Sequence, residues 1–442
     1  MNVSIITLIL MIITSAYVMM FVNNANAVGI EVRDQEGRLV ASSQEPIKKS
    51  NPFEPGVWTF PILITNLILL LIGILFYKKR LPVIIKKTID FILNFEVSRK
   101  IAFIVVVSLI AIYVIFNVGK IWNSEEISWG DYQGALQGAK NFSYVSLISY
   151  LGFRYFLLSI SLNILGNIRI IPFIVSISLL VVTYYLTYEL SKKRFAGIIS
   201  IVILLQSNLF LKYSVSATED NTWTLFYVLS LYLIYKKWFL SPLSYALSLF
   251  SKPLVAIFLP MTFFFIYGSS LSKKGKTRTA FIYIITILIP AAIMIYLYRG
   301  SSFDPSGFWT GFTALENYLH FDGLTLIFLF PLVIGLFTAS RKRILHADSL
   351  MILIAGVLWS APLLASFAEI TNQPYRFVPL VVFFAIGVSI LLSNNVNRQL
   401  VIKKNYITTS VFFFTIVTVL ISMTLVIFPD LIQRSYKVVL SG

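Results

Sequence analysis

The sequence predicts an all-α fold, a polytopic transmembrane helical bundle of about 13 helices. Of its 442 residues, 57% are apolar and only 12% are charged, and the mean hydropathy is +0.83. The apolar runs are continuous over ~18–23 residues, the length that a helix needs to cross a bilayer. A membrane β-barrel would instead show segments of ~10 residues with alternating hydrophobicity. Because only helices and closed barrels satisfy their backbone in lipid, the continuous runs favour helices.

The charges divide the connecting loops into two alternating sets. Of the 36 Lys and Arg residues, 22 lie in every second loop, whereas 15 of the 19 Asp and Glu residues lie in the other loops or the termini. Cytoplasmic loops of membrane proteins are enriched in Lys and Arg. We therefore expect a multi-pass protein of the plasma membrane with a basic cytoplasmic side and an acidic outer side. The amino terminus is then cytoplasmic, unless it is cleaved, and the carboxyl terminus is outside.

The composition also excludes several classes of function. The net charge of +17 is explained by basic loops beside anionic lipid, so nucleic acid is not an expected partner. The absence of cysteine excludes disulfides, thiolate metal sites and thiol nucleophiles. The two histidines, His320 and His346, lie on opposite predicted sides, which excludes a histidine-rich metal cluster. Phosphate-cradling glycine motifs are absent, so a cytosolic nucleotide donor is not expected.

The predicted segments follow one another closely along the chain. They begin near Val3, Val57, Ile101, Ile168, Phe195, Asn221, Leu240, Pro253, Thr279, Leu324, Leu350, Phe377 and Tyr406. The first one ends in small residues that resemble a signal-peptidase site, although no basic region precedes it. Residues 1–27 are therefore either a cleaved signal peptide or the first helix.

Two apolar stretches have more than one interpretation. The stretch Phe142–Leu165 is long enough to cross the membrane, but crossing would place most of the later basic loops outside. We therefore expect an amphipathic interfacial helix in the first large outer loop of the core. The stretch Leu240–Gly268 would place Lys252 in hydrocarbon if it were one helix, which is costly. A hairpin that turns at Ser251-Lys252-Pro253 on the outer side avoids this cost.

The predicted organisation has three parts. Residues 1–97 form an amino-terminal addition of two helices with a small outer loop, residues 98–395 form the transmembrane core, and residues 396–442 form a last membrane helix with a short outer tail.

The outer loops carry the candidate catalytic groups. Three carboxylates, Glu125, Glu126 and Asp131, follow the first core helix, and Lys212, Glu219 and Asp220 share a later outer turn. Two further outer turns carry Lys252 and Arg376. A carboxylate can act as general base toward a hydroxyl or an amine, while cations, with or without a metal, hold a phosphate leaving group. The alternative for each residue is a solvated or snorkelling side chain.

The order of these pieces resembles the GT-C glycosyltransferases, polytopic enzymes that use polyisoprenyl-phosphate sugars. Protein O-mannosyltransferases and aminoarabinose transferases are examples. The resemblance covers roughly residues 98–395 and rests on short motifs in a matching order. These motifs are Asp131-Tyr132 after a membrane helix, the interfacial helix, Lys192-Lys193-Arg194, Leu211 to Asp220, Tyr245 to Pro253, and Pro374 to Pro379.

The resemblance implies a role for each motif. Asp131 matches the catalytic base of the family, and Glu219 and Asp220 match its second acidic motif. Lys252-Pro253 resembles the family's serine-lysine turn, and Arg376 matches a late arginine that can meet lipid phosphate. Lys212 would be a third phosphate-binding cation. The expected substrate contacts are Glu126, Trp129, Tyr132 and Arg154.

The resemblance implies a membrane glycosyltransferase that transfers a sugar from a polyisoprenyl-phosphate donor to a protein, lipid or glycan acceptor at the outer face. Asp131, Glu219 and Asp220 are candidate oxygen ligands for Mg²⁺ or Mn²⁺, although the two adjacent carboxylates could equally orient a cation. Trp129 and Tyr132 could stack on sugar or belong to an interfacial aromatic belt. The alternative functions are a transporter or lipid flippase, which would be expected to carry midplane charges or repeated halves, and a non-catalytic membrane subunit.

Overall fold

The structure is a computed structural model that describes residues 59–78, 80–123, 129–144, 147, 152–217, 221–297, 322–365, 374–393 and 404–427. The first predicted segment, with the possible signal peptide 1–27, lies outside these residues. The same holds for the tail that follows residue 427.

The regular elements of the described residues are helices. In chain order they are α1 Thr59–Tyr77, α2 Val83–Asn94, α3 Arg99–Asn117, α4 Lys120–Asn123, α5 Trp129–Lys140, α6 Gly152–Asn163, α7 Ile170–Ser191, α8 Arg194–Gln206, α9 Asn208–Tyr213, α10 Asn221–Lys236, α11 Ser241–Ser251, α12 Leu259–Gly268, α13 Lys273–Leu297, α14 Gly323–Arg341, α15 Ala347–Ala365, α16 Val378–Ile390 and α17 Lys404–Ile427. Two 3₁₀ helices, Pro253–Phe258 and Pro374–Phe377, precede α12 and α16.

Four of the described helices are long and apolar enough to cross a membrane. They span Arg99–Trp122, Ile170–Ser191, Gly323–Arg341 and Tyr406–Thr424. Shorter apolar helices, including those over Arg194–Gln206 and Tyr375–Ile390, accompany them. The prediction of a helical membrane protein is confirmed in this coarser form, while the number of about 13 crossings stays a prediction.

Helix α16 lies at the centre of the bundle. Twelve of its 13 residues are buried, and it packs against α7, α8, α14 and α15. A helix that is apolar on every side needs apolar surroundings on every side, and here the neighbouring helices provide them. The helix brings its amino-terminal end, preceded by Tyr375 and Arg376, into the middle of one end of the bundle.

The bundle has two chemically distinct ends. At the basic end, Glu189 of α7 forms ion pairs with Lys192 and with Lys236 of α10, the latter at 2.7 Å. Arg194 at the start of α8 lies 3.6 Å from Glu96. The opposite end, called the acidic end below, contains the first turn of α5 with Asp131, the start of α7 and Asp322. Because α7 and α8 are joined by the tight turn Lys192–Lys193, they run in opposite directions between the two ends.

The chain turns at Lys252, as the sequence analysis predicts. Helix α11 ends at Ser251, Lys252 is extended, and Pro253 opens the following 3₁₀ helix. On one arm, Ser248 donates a hydrogen bond to the Trp223 carbonyl at 2.6 Å. On the other arm, Thr262 contacts the Tyr227 hydroxyl at 3.1 Å. The two arms therefore run in opposite directions along α10 and bring Lys252 to the acidic end.

Two segments that were interpreted as loops are helical. Residues 129–140, which lie in a predicted outer loop, form α5, and residues 83–94, which lie in a predicted basic loop, form α2. The interfacial segment Phe142–Leu165 contains a helix, α6, which covers only Gly152–Asn163. With 12 residues, α6 is about 18 Å long, so it cannot cross the hydrocarbon alone.

Candidate functional site

Three chain segments meet at a pair of tyrosine rings at the acidic end. The buried rings of Tyr213, at the end of α9, and Tyr375, before α16, have centroids 5.7 Å apart at an angle of 71°. The Lys252 ammonium lies 5.5 Å from the centroid of Tyr375, and the Lys212 ammonium lies 5.9 Å from that of Tyr213. A cation within about 6 Å of an aromatic face is attracted by the ring.

Two of the three cations that the sequence analysis assigns to phosphate lie beside this tyrosine pair, and the third is a sequence neighbour of Tyr375. Lys212 and Lys252 each contact one ring, and Arg376 directly follows Tyr375 in the 3₁₀ helix. The three residues come from distant parts of the sequence, and the fold brings their segments together because α9 packs against both the 3₁₀ helix and α16.

The protein environment shifts the pKa values of Lys212 and Tyr213 in this site. Helix α9 is outside the apolar helices that could cross a membrane. Although Lys212 reaches the surface, desolvation by the neighbouring protein lowers the pKa of its ammonium below its usual value. Burial raises the pKa of the Tyr213 hydroxyl, and the nearby Tyr375 raises it further. Tyr213 therefore stays neutral, and a bound anion would favour the charged form of Lys212.

A small apolar cluster fixes the helix that carries Asp131. Ala135 and Ala139 of α5 pack with Leu158 of α6, Ile168 and Ala217. Asp131 is the third residue of α5 and Trp129 is the first; for both, only the backbone position is described. Because Ala217 precedes Glu219 by two residues, the cluster joins the helix of Asp131 to the segment of the second acidic motif.

The residues on either side of the second acidic motif have defined contacts. Glu219, Asp220 and also Glu126 lie outside the described residues. On one side, Arg154 of α6 donates a hydrogen bond to the Ala217 carbonyl at 2.9 Å. On the other side, the Asn221 side chain donates to Ser176 of α7 at 2.7 Å.

The contact that the structure shows for Arg154 is with the protein backbone. Its guanidinium holds the Ala217 carbonyl, and the side chain is half-buried. Tyr132, also expected to contact substrate, is half-buried against the apolar cluster of α5 and α6. These contacts give both residues a role in placing the acidic segments, and they leave the prediction of substrate contact open.

Arg169 is a cation of this end that the sequence analysis did not assign. It precedes α7, is only 9% exposed, and its guanidinium carbon lies 5.9 Å from the Tyr132 ring centroid. Asn167 fixes this turn, since its side chain accepts from the Arg169 amide at 2.9 Å and donates to the Ile121 carbonyl at 3.0 Å. The only sequence signal was a single arginine at the start of a predicted span.

Among the described residues, Asp322 is a buried carboxyl group at this end. It is 1% exposed, accepts a hydrogen bond from the Ser207 hydroxyl, and caps α14 by accepting from the Thr325 amide at 3.0 Å. Burial raises the pKa of this carboxyl above its usual value, and the hydrogen bonds from Ser207 and Thr325 oppose the shift. Asp322 joins the α8–α9 junction to α14, so its role is structural.

The described residues show no group of three or more His, Asp or Glu side chains that could hold a metal ion. The candidate ligands Asp131, Glu219 and Asp220 are not among the side chains described, so a divalent cation there stays a prediction. Neither a protein-family model, nor a curated protein, nor a solved structure matches this chain.

Proposed function

We propose that this protein is a membrane glycosyltransferase that takes a sugar from a polyisoprenyl-phosphate donor at the acidic end of its helical bundle. The observation that carries the proposal is the placement of Lys212 and Lys252 beside the Tyr213–Tyr375 pair, with Arg376 next to Tyr375 in the chain. Cations at this end of the bundle attract an anionic phosphate, and the lateral apolar surface of the bundle suits a polyisoprenyl tail. The sequence resemblance to GT-C glycosyltransferases points to the same donor class.

In the proposed reaction, Asp131 accepts the proton of the acceptor hydroxyl or amine as general base. The acceptor oxygen or nitrogen forms a bond to the anomeric carbon of the sugar, and the bond from that carbon to the phosphate oxygen breaks. The bonding electrons leave with the phosphate, and the cations around the tyrosine pair stabilise its charge. The products are the glycosylated acceptor and a polyisoprenyl phosphate.

The arrangement of α5 supports this role for Asp131. Its helix packs against α6, and the shared cluster brings its backbone near Ala217, which precedes Glu219 by two residues in the sequence. A carboxylate in the first turn of a helix is stabilised by the positive end of the helix dipole. The proposal therefore assigns the base to a helix at the same end of the bundle as the cations.

A transporter or flippase is less well supported by the described residues. In such proteins, ionisable groups usually lie near the middle of the membrane. Here Glu189 lies at the basic end of its helix, and Lys252 lies at the turn between α11 and α12. Both positions fit a protein that acts at one face.

The test is release of polyisoprenyl phosphate from a panel of polyisoprenyl-phosphate hexoses in membranes that contain the full chain and its natural acceptors. Asp131→Asn should reduce release by roughly a hundredfold or more, because general-base catalysis contributes that much. The matched control is Asp90→Asn, which neutralises an exposed carboxylate of α2 at the basic end and should leave release unchanged.

Release by the Asp131→Asn variant at the rate of the unaltered protein would remove Asp131 from the mechanism. If the unaltered protein releases no polyisoprenyl phosphate with any donor but moves donor lipid between the leaflets, the protein is a flippase and the proposed transfer is wrong.

A further inference from the structure

Helix α2 has two opposite faces of different chemistry. Its 12 residues read VIIKKTIDFILN. With 3.6 residues per turn, Lys86, Lys87, Asp90 and Asn94 share one narrow side, and most of the Ile and Phe residues cover the other side. An amphipathic helix of this kind is stable in a folded protein only when its apolar face is covered by protein or by lipid.

The described protein leaves this apolar face open. No residue of α2 is buried. Ile84 is 80% exposed and Phe91 is 49% exposed, while Ile89 and Leu93 are only partly covered. A contiguous apolar face of this kind marks a surface that meets another molecule or a membrane.

The carboxyl-terminal side of α2 is tied to the basic end of the bundle. Lys193, in the turn between α7 and α8, donates a hydrogen bond to the Leu93 carbonyl. Phe95 packs on Phe195 with ring centroids 4.7 Å apart. These contacts hold α2 at the level where the candidate membrane helix Arg99–Trp122 begins and the candidate membrane helix Ile170–Ser191 ends. This is the level of the lipid headgroups.

The length and charge of α2 identify its partner. Twelve residues make a helix of about 18 Å, too short to cross a bilayer of about 30 Å. The stretch 78–100 contains seven Lys and Arg residues against two acidic ones. An apolar face with a basic polar face is typical of helices that lie in the interface of a membrane with anionic lipids, whereas Lys is depleted in protein–protein interfaces.

We propose that α2 lies flat in the membrane leaflet at the basic end and binds anionic lipid. Its apolar face, with Ile84 and Phe91, enters the acyl region, while Lys86 and Lys87 contact acidic headgroups. Because α2 is joined to Phe195 and the α7–α8 turn, the lipid composition of this leaflet acts directly on the core of the bundle.

The test uses the full chain, which contains no cysteine, with one cysteine at a time carrying an environment-sensitive fluorophore. Ile84→Cys reports the apolar face, and Asp90→Cys is its matched control on the polar face of the same helix. The protein is placed in nanodiscs of phosphatidylcholine alone or of an equimolar mixture with phosphatidylglycerol. Emission wavelength and quenching by aqueous iodide are measured.

With phosphatidylglycerol, the label at position 84 should emit at shorter wavelength and be quenched several-fold less than the label at position 90. Adding Lys86→Gln and Lys87→Gln, or high salt, should weaken this protection, because screened or neutralised headgroup contacts hold the helix less firmly.

Equal quenching of both labels in both lipids would overturn the proposal. Protection of position 84 that is the same in neutral lipid and insensitive to the lysine substitutions would also overturn it, because anionic lipid would then not be the partner. Disulfide cross-linking between two Ile84→Cys chains would assign the face to a second copy.

Discussion

The position of the Lys252 side chain depends on the break between α11 and the 3₁₀ helix that follows it. The chain is extended at Lys252, and Pro253 starts a new helical turn. This break lies at the end of the bundle, where the Lys252 side chain contacts the Tyr375 ring. The proposed phosphate site uses this cation, and its neutralisation should weaken donor binding without unfolding the protein.

Lys252→Gln is therefore expected to reduce the affinity for polyisoprenyl phosphate about tenfold or more, because a charged hydrogen bond contributes ~1.5–3 kcal/mol. Binding is measured with the protein in nanodiscs. The control is Lys274→Gln at an exposed position of the basic end. Binding of the uncharged polyisoprenol should be the same for all variants, and an unchanged affinity for the phosphate would exclude Lys252 from the site.

Asp322 gives a prediction on pH dependence. Burial raises its pKa in the folded protein, so the protonated carboxyl favours the folded state. This contribution is fully present below the ordinary pKa of an aspartic acid and is lost as the pH rises through the raised pKa of the folded state. Asp322→Asn should remove this part of the pH dependence, because asparagine is neutral and still caps a helix.

Thermal unfolding in detergent across a pH series measures the effect. Asp322→Ala should cost ~1–3 kcal/mol, because α14 loses its cap and the buried Ser207 hydroxyl loses its acceptor. If Asp322→Asn unfolds with the same pH dependence as the unaltered protein, Asp322 does not titrate in this range and the assignment is wrong.

At the scale of elements, the sequence predicted the long apolar helices and the turn at Lys252, because apolar length and the cost of a charge in lipid are local properties. It missed α5 and α2 for different reasons. Helix α5 contains Gly130, Gly134 and Gly138, which lower helix propensity, so packing on α6 decides its conformation. The amphipathic period of α2 was hidden because its lysines were counted as part of a basic loop.

Two glycines of α5 form a matched pair. A methyl group at Gly138 would lie 2.5 Å from the ring of Tyr155, whereas one at Gly134 would have no neighbour within 4 Å. Gly138→Ala should therefore push α5 away from α6 and displace Asp131, lowering both stability and sugar transfer. Gly134→Ala should raise stability by ~0.5–1 kcal/mol and keep transfer.

Thermal unfolding and the release of polyisoprenyl phosphate separate these outcomes. Equal transfer by the two variants would show that the contact between α5 and α6 does not position the proposed base.

At the scale of the whole molecule, the distribution of charges among the loops predicted a basic and an acidic end. It did not predict which side chains contact one another at each end. The tyrosine pair joins Tyr213 to Tyr375, and the cation–ring contact joins Arg169 to Tyr132. Each of these contacts connects segments far apart in the sequence. Hydrophobic periodicity and short motifs are local features of a sequence and do not predict such contacts. The loop charges did predict that Lys212, Lys252 and Arg376 would lie on one side, and their segments do share the acidic end.

The orientation of these ends decides which compartment supplies the acceptor. Loops rich in Lys and Arg stay in the cytoplasm, so the acidic end is expected to face outward. In a chain without cysteine, a single Asn163→Cys at the carboxyl-terminal end of α6 should react with a membrane-impermeant maleimide on intact cells. Lys274→Cys at the start of α13 should react only after the membrane is opened. Both positions are exposed, so burial in protein does not limit labelling, and the reverse pattern would place the proposed donor site in the cytoplasm.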